Sequence, residues 1–332
     1  MAASLCLPLL HNTETVWYVI PIGITSRSRL TMYYYMSHRC NMLAEILLVL
    51  AGHQSSLFLE DNSLHPDFAA LLHPGEKQCF ESLGLIACRY RTIKFSCRHL
   101  SQTPSRYVCA MCAKLNEILK NEYESLVVST EAKILTKDDA FVGQGSFVPL
   151  SSIRATFSEW DSPLAALEVL LRQVEQTRHW PPGQLIDLLL EKSNTGVHRV
   201  SKIMSQLAQA VQRTWKTQLQ MFLVHGSIAT IDPLLTSDFA FLPGAVPSCI
   251  PYSTKSSIIY IGRAIATLKS SKWHKQIPSS LSIEHTRLLE SVMPQDRHTF
   301  DDAIATVRTD ISEWLWSNVL TVKDVEDTVD FL

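Results

Sequence analysis

The chain has 332 residues, of which 46% are apolar and 19% charged, so it can bury a substantial core and is not disordered by composition. Its 30 Lys and Arg against 32 Asp and Glu give a formal net charge of −2, which leaves no basic stripe for a nucleic-acid backbone. Only 11 glycines are present, few for a Gly-rich phosphate-binding fold or for an all-β chain with many tight turns.

Residues 1–41 show no helical period and carry Tyr33, Tyr34 and Tyr35 in a row. The apolar run Leu5 to Leu10 has no basic region before it, so it does not match a signal peptide. The run Val16 to Ile24 is far shorter than the roughly 20 residues that span a bilayer, and no Lys/Arg cluster flanks an apolar segment; no membrane insertion is expected. From Met42 to Ala51 the sequence predicts a short, strongly apolar helix that Gly52 can end. Helices follow over 74–97 and 104–135, separated by Ser101 to Pro104, and the stretch Asp138 to Ser146 with Gly143 and Gly145 is a loop. Leu150 to Thr177 is expected as two helices broken at Pro163. After the break at Pro181, Pro182 and Gly183 comes a compact helix, Gln184 to Glu191.

The strongest periodic signal runs from Val197 to Val224. Val200, Ile203, Met204, Leu207, Val211, Trp215, Leu219, Phe222 and Leu223 recur at three- and four-residue steps, which predicts one face buried along a helix about 40 Å long. Pro233 to Pro251 holds four prolines and is irregular. Helices near 254–269, 283–293 and 297–322 close the chain, the last with Ile304, Val307, Ile311, Trp314, Leu315 and Val319 on one side. No fixed-period repeat is present, and the fold class is all-α, an elongated array of helical bundles with about ten helices.

Catalytic patterns are missing from this order of elements. Cys97, His99, Cys109 and Cys112 could supply four zinc ligands, but Cys109 and Cys112 sit one turn apart in a helical stretch, where buried reduced thiols are the simpler reading. None of the 12 histidines forms a metalloprotease pattern, and His225 stands at a helix end, where a basic side chain suits the partial negative charge. Gly143-Gln-Gly145-Ser146 lacks the lysine and strand of a phosphate loop. Glu326, Asp327 and Asp330 are taken as a solvated face. Trp160, Trp180, Trp215, Trp273, Trp314 and Trp316 are spread along the chain, as packing residues are. The residues alone thus point to a non-enzymatic scaffold or interaction module with no cofactor and no metal.

Three blocks resemble the N-terminal region of the γ-tubulin complex component family. The first, Met42 to His53, is similar to the start of the short member of that family, component 4. The second runs from Leu185-Ile-Asp-Leu-Leu-Leu190 through Thr195-Gly196 and the long helix to Met221-Phe-Leu-Val-His-Gly226, with Asp232 beyond; Phe222 stands where the family usually has Trp. The third joins Val246-Pro-Ser-Cys-Ile-Pro251 to Ile258-Ile-Tyr-Ile-Gly262-Arg-Ala-Ile265. The resemblance covers 42–332 and leaves 1–41 as a non-family extension, with Met42 the expected true start.

The resemblance implies a chain of helical bundles whose N-terminal half associates laterally with other γ-tubulin complex components, in the cytoplasm, at spindle poles and at other microtubule-organising centres. The family's γ-tubulin-binding half is expected to be absent here, since the chain ends at Leu332, so γ-tubulin would be reached through the complex. Lateral contact is assigned to Leu43, Ile46, Leu47 and Leu50, read as exposed apolar positions of the first helix, with filling of the chain's own core as the competing reading. Gly196, Gly226 and Gly262 are assigned to helix ends and close packing. Two rivals share the composition: a helical-rod vesicle-tethering subunit, and a zinc-stabilised module built on Cys97 and Cys112.

Overall fold

The computed structural model describes residues 42–55, 57–59, 63–70, 72–136, 148–177, 179–270 and 277–318. The expected extension 1–41, the loop 138–146, Trp273 and the acidic residues 326–330 lie outside these. The described residues are helical, with no strand beyond two isolated bridges, Phe58 to Leu64 and Leu235 to Phe241. The helices are α1 (42–50), α2 (Pro66–Ala69), α3 (Pro74–Leu100), α4 (Arg106–Ile118), α5 (Ser125–Leu135), α6 (Leu150–Ser158), α7 (Asp161–Gln176), α8 (Pro182–Ser193), α9 (His198–His225), α10 (Tyr252–Ser270), α11 (Ser279–Ser291) and α12 (Arg297–Asn318). The described residues divide into two compact units, those up to 98 with those of 116–173, and those of 99–115 with those from 174 onward.

In the first unit an aromatic cluster sits among aliphatic core residues such as Leu83, Ile86 and Leu119. Tyr123 stacks on Tyr90 at 4.4 Å and meets Trp160 and Phe157 edge-on at 5.3 and 6.0 Å. Tyr123 lies in a π-helical turn, Leu119–Glu124, inserted where the sequence predicts one unbroken helix from 104 to 135. Such a turn adds a residue to the helical circuit, and the added residue re-aims the side chains beside it. Here the turn buries Leu119 and Tyr123. Burial, then the neighbouring Glu124 carboxylate, raises the Tyr90 phenol pKa, and Tyr90 Oη donates to Glu124 Oε1 at 2.6 Å.

The break expected at Pro163 falls earlier, between Ser158 and Asp161. Pro163 is the third residue of α7, within the first turn, where its missing N–H is one of four that have no intrahelical partner.

The second unit is built round α9, whose 28 residues span about 42 Å. It packs against α8, α10 and α11, while α10 and α11 pack against α12. The stripe from Val200 to Leu223 is buried as the periodicity predicts, and so are Gln212, Lys216 and Gln218 between its turns. Trp215 is fully buried and tilts against Phe300 of α12 at 6.2 Å.

Candidate functional site

The three sequence blocks come together within two packed clusters, one in each unit. In the second unit, Gly262 of α10 lies under the ring of Phe222 of α9. A Cβ on Gly262 would sit 2.1 Å from Phe222 Cζ, so any side chain there must displace a ring that is 1% exposed and stacked on Phe239. One turn on, Gly226 ends α9 at φ +62, and a Cβ there would meet the Ala266 backbone N at 2.6 Å. The left-handed conformation and the close approach both require glycine. Lys269 Nζ then donates to the His225 carbonyl at 2.7 Å, completing the helix end. The expected packing roles of Gly226 and Gly262 follow from these contacts. Nothing lies within 4 Å of a Cβ built on Gly196, so only its place in the turn before α9 speaks for it.

The irregular segment before α10 is fastened to α8 and α9 by polar groups. Asp187, the one acid in the leucine-rich block, accepts the Ser248 N–H at 3.0 Å to both carboxylate oxygens and the Ser248 hydroxyl at 3.0 Å. Trp215 Nε1 donates to the Ala245 carbonyl at 2.9 Å, and Gln184 N–H donates to the Gly244 carbonyl at 3.2 Å. Asp232, at φ +49, accepts the Arg106 N–H at 2.8 Å and so satisfies an open donor at the start of α4. Lys216 Nζ reaches the far end of α11, donating to the Glu290 and Val292 carbonyls at 2.9 Å each. Burial, the largest influence, lowers the Lys216 pKa. The cluster is a set of braces, most of them between a side chain and backbone.

In the first unit, α1 is held by its C-terminus. Tyr123 Oη donates to the Leu50 carbonyl at 3.0 Å, and Gly52 at φ +94 turns the chain away beside Tyr90. Ile46, Leu47 and Leu50 are 1%, 5% and 0% exposed. They fill their own chain's core instead of presenting the exposed apolar surface expected of them, because α1 is apolar on most sides and its unit closes over it. Leu43 is half-buried.

Among the described residues no group of three or more His, Cys, Asp or Glu could hold a metal ion. Cys97 and Cys112 are buried, and the Cys109 thiol faces the carbonyls of Ser101 and Thr103 at 3.6 and 3.5 Å. Burial first, then the nearby Cys112 and Asp232, raises the Cys109 pKa, the direction opposite to a reactive thiolate. No described helix is long and apolar enough to cross a membrane.

Residues 43–321 match the family described as gamma tubulin complex component N-terminal. The chain belongs to this family. The match begins one residue after Met42 and takes in all three blocks but for Met42 itself. A gamma-tubulin complex component of Schizosaccharomyces pombe, gfh1, is 28% identical over 193 residues, which cover 56% of this chain and 33% of that protein. The family membership sets the tethering-subunit alternative aside. Within this γ-tubulin complex component region, sequence reasoning missed Lys216, Asp187 and Tyr123 as braces. Only Asp187 left a signal, as a lone acid among leucines.

Proposed function

We propose that the chain is a non-enzymatic scaffold of the γ-tubulin complex, joining laterally to other components and thereby helping to order γ-tubulins into an array that templates microtubule assembly. The match over 43–321 to the N-terminal region of the family carries this reading. Component 4 is the family member proposed as its counterpart, and spindle poles and other microtubule-organising centres its place of work. Direct γ-tubulin binding belongs to the complex and not to the matched region.

The physical task is spacing. A nucleus of several tubulins forms slowly because each subunit gives up translational and rotational freedom, and a scaffold that fixes their spacing removes much of that cost. Such a spacer must resist deformation, and α9 and α10 approach closely at Phe222–Gly262 and Gly226–Ala266. The lateral role is assigned to the outer side of the first unit, with Leu43 at its edge and Ile46, Leu47 and Leu50 holding it from beneath.

Affinity purification of the tagged full chain from cell extract, with quantitative mass spectrometry, tests this. Other γ-tubulin complex components are expected as the dominant partners. Recovery of membrane-trafficking proteins or small GTPases in their place would overturn the reading.

A further inference from the structure

Two helices each carry a line of residues that includes a well-exposed aromatic ring, and the two lines differ in charge. On α3, Leu85, Cys88, Arg91, Phe95 and Arg98 recur at three- and four-residue steps and so share one side of the helix. Leu85 is 47% exposed and Phe95 is 70% exposed. The charges along this stretch are cationic. The acid one turn earlier, Glu81, is engaged by Lys77 at 3.9 Å, while Lys94 is turned to Glu124 at 3.1 Å and Arg89 to Asp161.

On α12 the outward face carries Asp302, Thr306, Thr309, Glu313 and Trp316, again at three- and four-residue steps. Its acids face solvent and Trp316 is 70% exposed. The other charged groups of this helix are turned inward or paired. Asp301 accepts from Thr254 at 2.7 Å, Asp310 meets His285 at 3.0 Å, and Arg308 donates to Ser257 at 3.0 Å.

The geometry points to a head-to-tail contact between two copies of this chain, the α3 face of one docking on the α12 face of the next. The inference rests on the scaffold reading and deepens it by naming the two surfaces. Both the charge and the spacing favour it. Phe95 precedes Arg98 by one turn, and Glu313 precedes Trp316 by one turn. An antiparallel pairing of the helices therefore sets Arg98 opposite Glu313 and Phe95 against Trp316 in a single register. The aromatic pair supplies apolar burial and the ion pair selects the register. Because the two surfaces differ, the contact is heterologous: each copy keeps one free face of each kind, and association continues into rings or open rows. One helix face on each side is smaller than the roughly 800 Å² per partner of a standard interface, so micromolar affinity is expected.

Sedimentation velocity of the purified full chain, up to about 100 µM, reads this directly. The parent chain is expected to form species larger than dimers as concentration rises. Arg98→Glu and Glu313→Arg, both on solvent-facing positions, should each stay monomeric with unchanged thermal unfolding. Mixed in equal amounts, the two variants should associate again and grow past dimers. The first still offers Glu313 to Arg98 of the second, and the two substituted positions face each other with their charges exchanged. A parent chain that stays monomeric, variants that self-associate like the parent, or a mixture that stays monomeric would each overturn the proposal. Co-purification of other γ-tubulin complex components with the same chain is a separate result, so the scaffold reading can stand where this contact fails.

Discussion

The helices α3 and α9 have nearly the same length, 27 and 28 residues, and opposite fates. On α9, even polar residues between the apolar turns are buried, and the helix is the axis of its unit. On α3, Phe80, Leu83, Ile86, Tyr90, Ile93 and Cys97 are buried, while Leu85 and Phe95 on the other side remain in solvent. Of its large apolar side chains α9 leaves only Met221 well exposed, whereas α3 leaves Leu85 and, more fully, Phe95 in solvent.

The largest effect should come from the α9 side. Gly262→Leu forces a side chain into the Phe222 ring and should cost about 3 kcal/mol or more, read by urea denaturation or as loss of soluble chain. Lys216→Met keeps the buried stem but leaves the Glu290 and Val292 carbonyls without their donor, at about 2 kcal/mol. The same residue carries a pH signature. Its pKa is lowered by burial, so just below the ordinary lysine range the unfolded chain binds more protons than the folded one. The Lys216 contribution to stability should therefore rise with pH through that window, against the falling contributions of Cys109 and Tyr90, and Lys216→Met should shift the slope downward in a series of denaturation curves.

Tyr123→Phe, in the unit that contains most of α3, keeps the ring stack on Tyr90 and loses only the bond to Leu50. It should cost about 1 kcal/mol and speed hydrogen exchange at the end of α1. At the small end, Phe95→Ser on the bare face should change stability by less than about 0.5 kcal/mol. A large loss there would show that Phe95 belongs to the core, and the contrast between the two helices would collapse.

Much of the helical order is legible in the sequence. The long α9 stripe, the stop at Gly52 and the proline-rich segment before α10 all follow from periodicity and local chemistry. What escapes does so for identifiable reasons. Periodicity counts apolar residues, so it passes over Lys216, Gln212 and Gln218, whose burial depends on distant partners or on neighbours from other helices. The π-helical turn at 119–124 has the same composition as an α-helical one. The proline rule marks Pro163 as a breaker without telling the first turn from the interior. An all-round apolar helix such as α1 gives no polar side from which to judge which residues face out, which is why Ile46, Leu47 and Leu50 were open to a surface role. The bare face of α3 is hidden for the converse reason, since Leu85 and Phe95 look like core residues until the packing is known.

The scaffold reading is tested most directly by mixing the purified full chain with the purified N-terminal half of another γ-tubulin complex component and, separately, with γ-tubulin, and measuring sedimentation of each pair. The account predicts a complex with the component and none with γ-tubulin alone. Binding to γ-tubulin without binding to any component would contradict it, because the chain's work would then lie in holding tubulin and not in joining its neighbours.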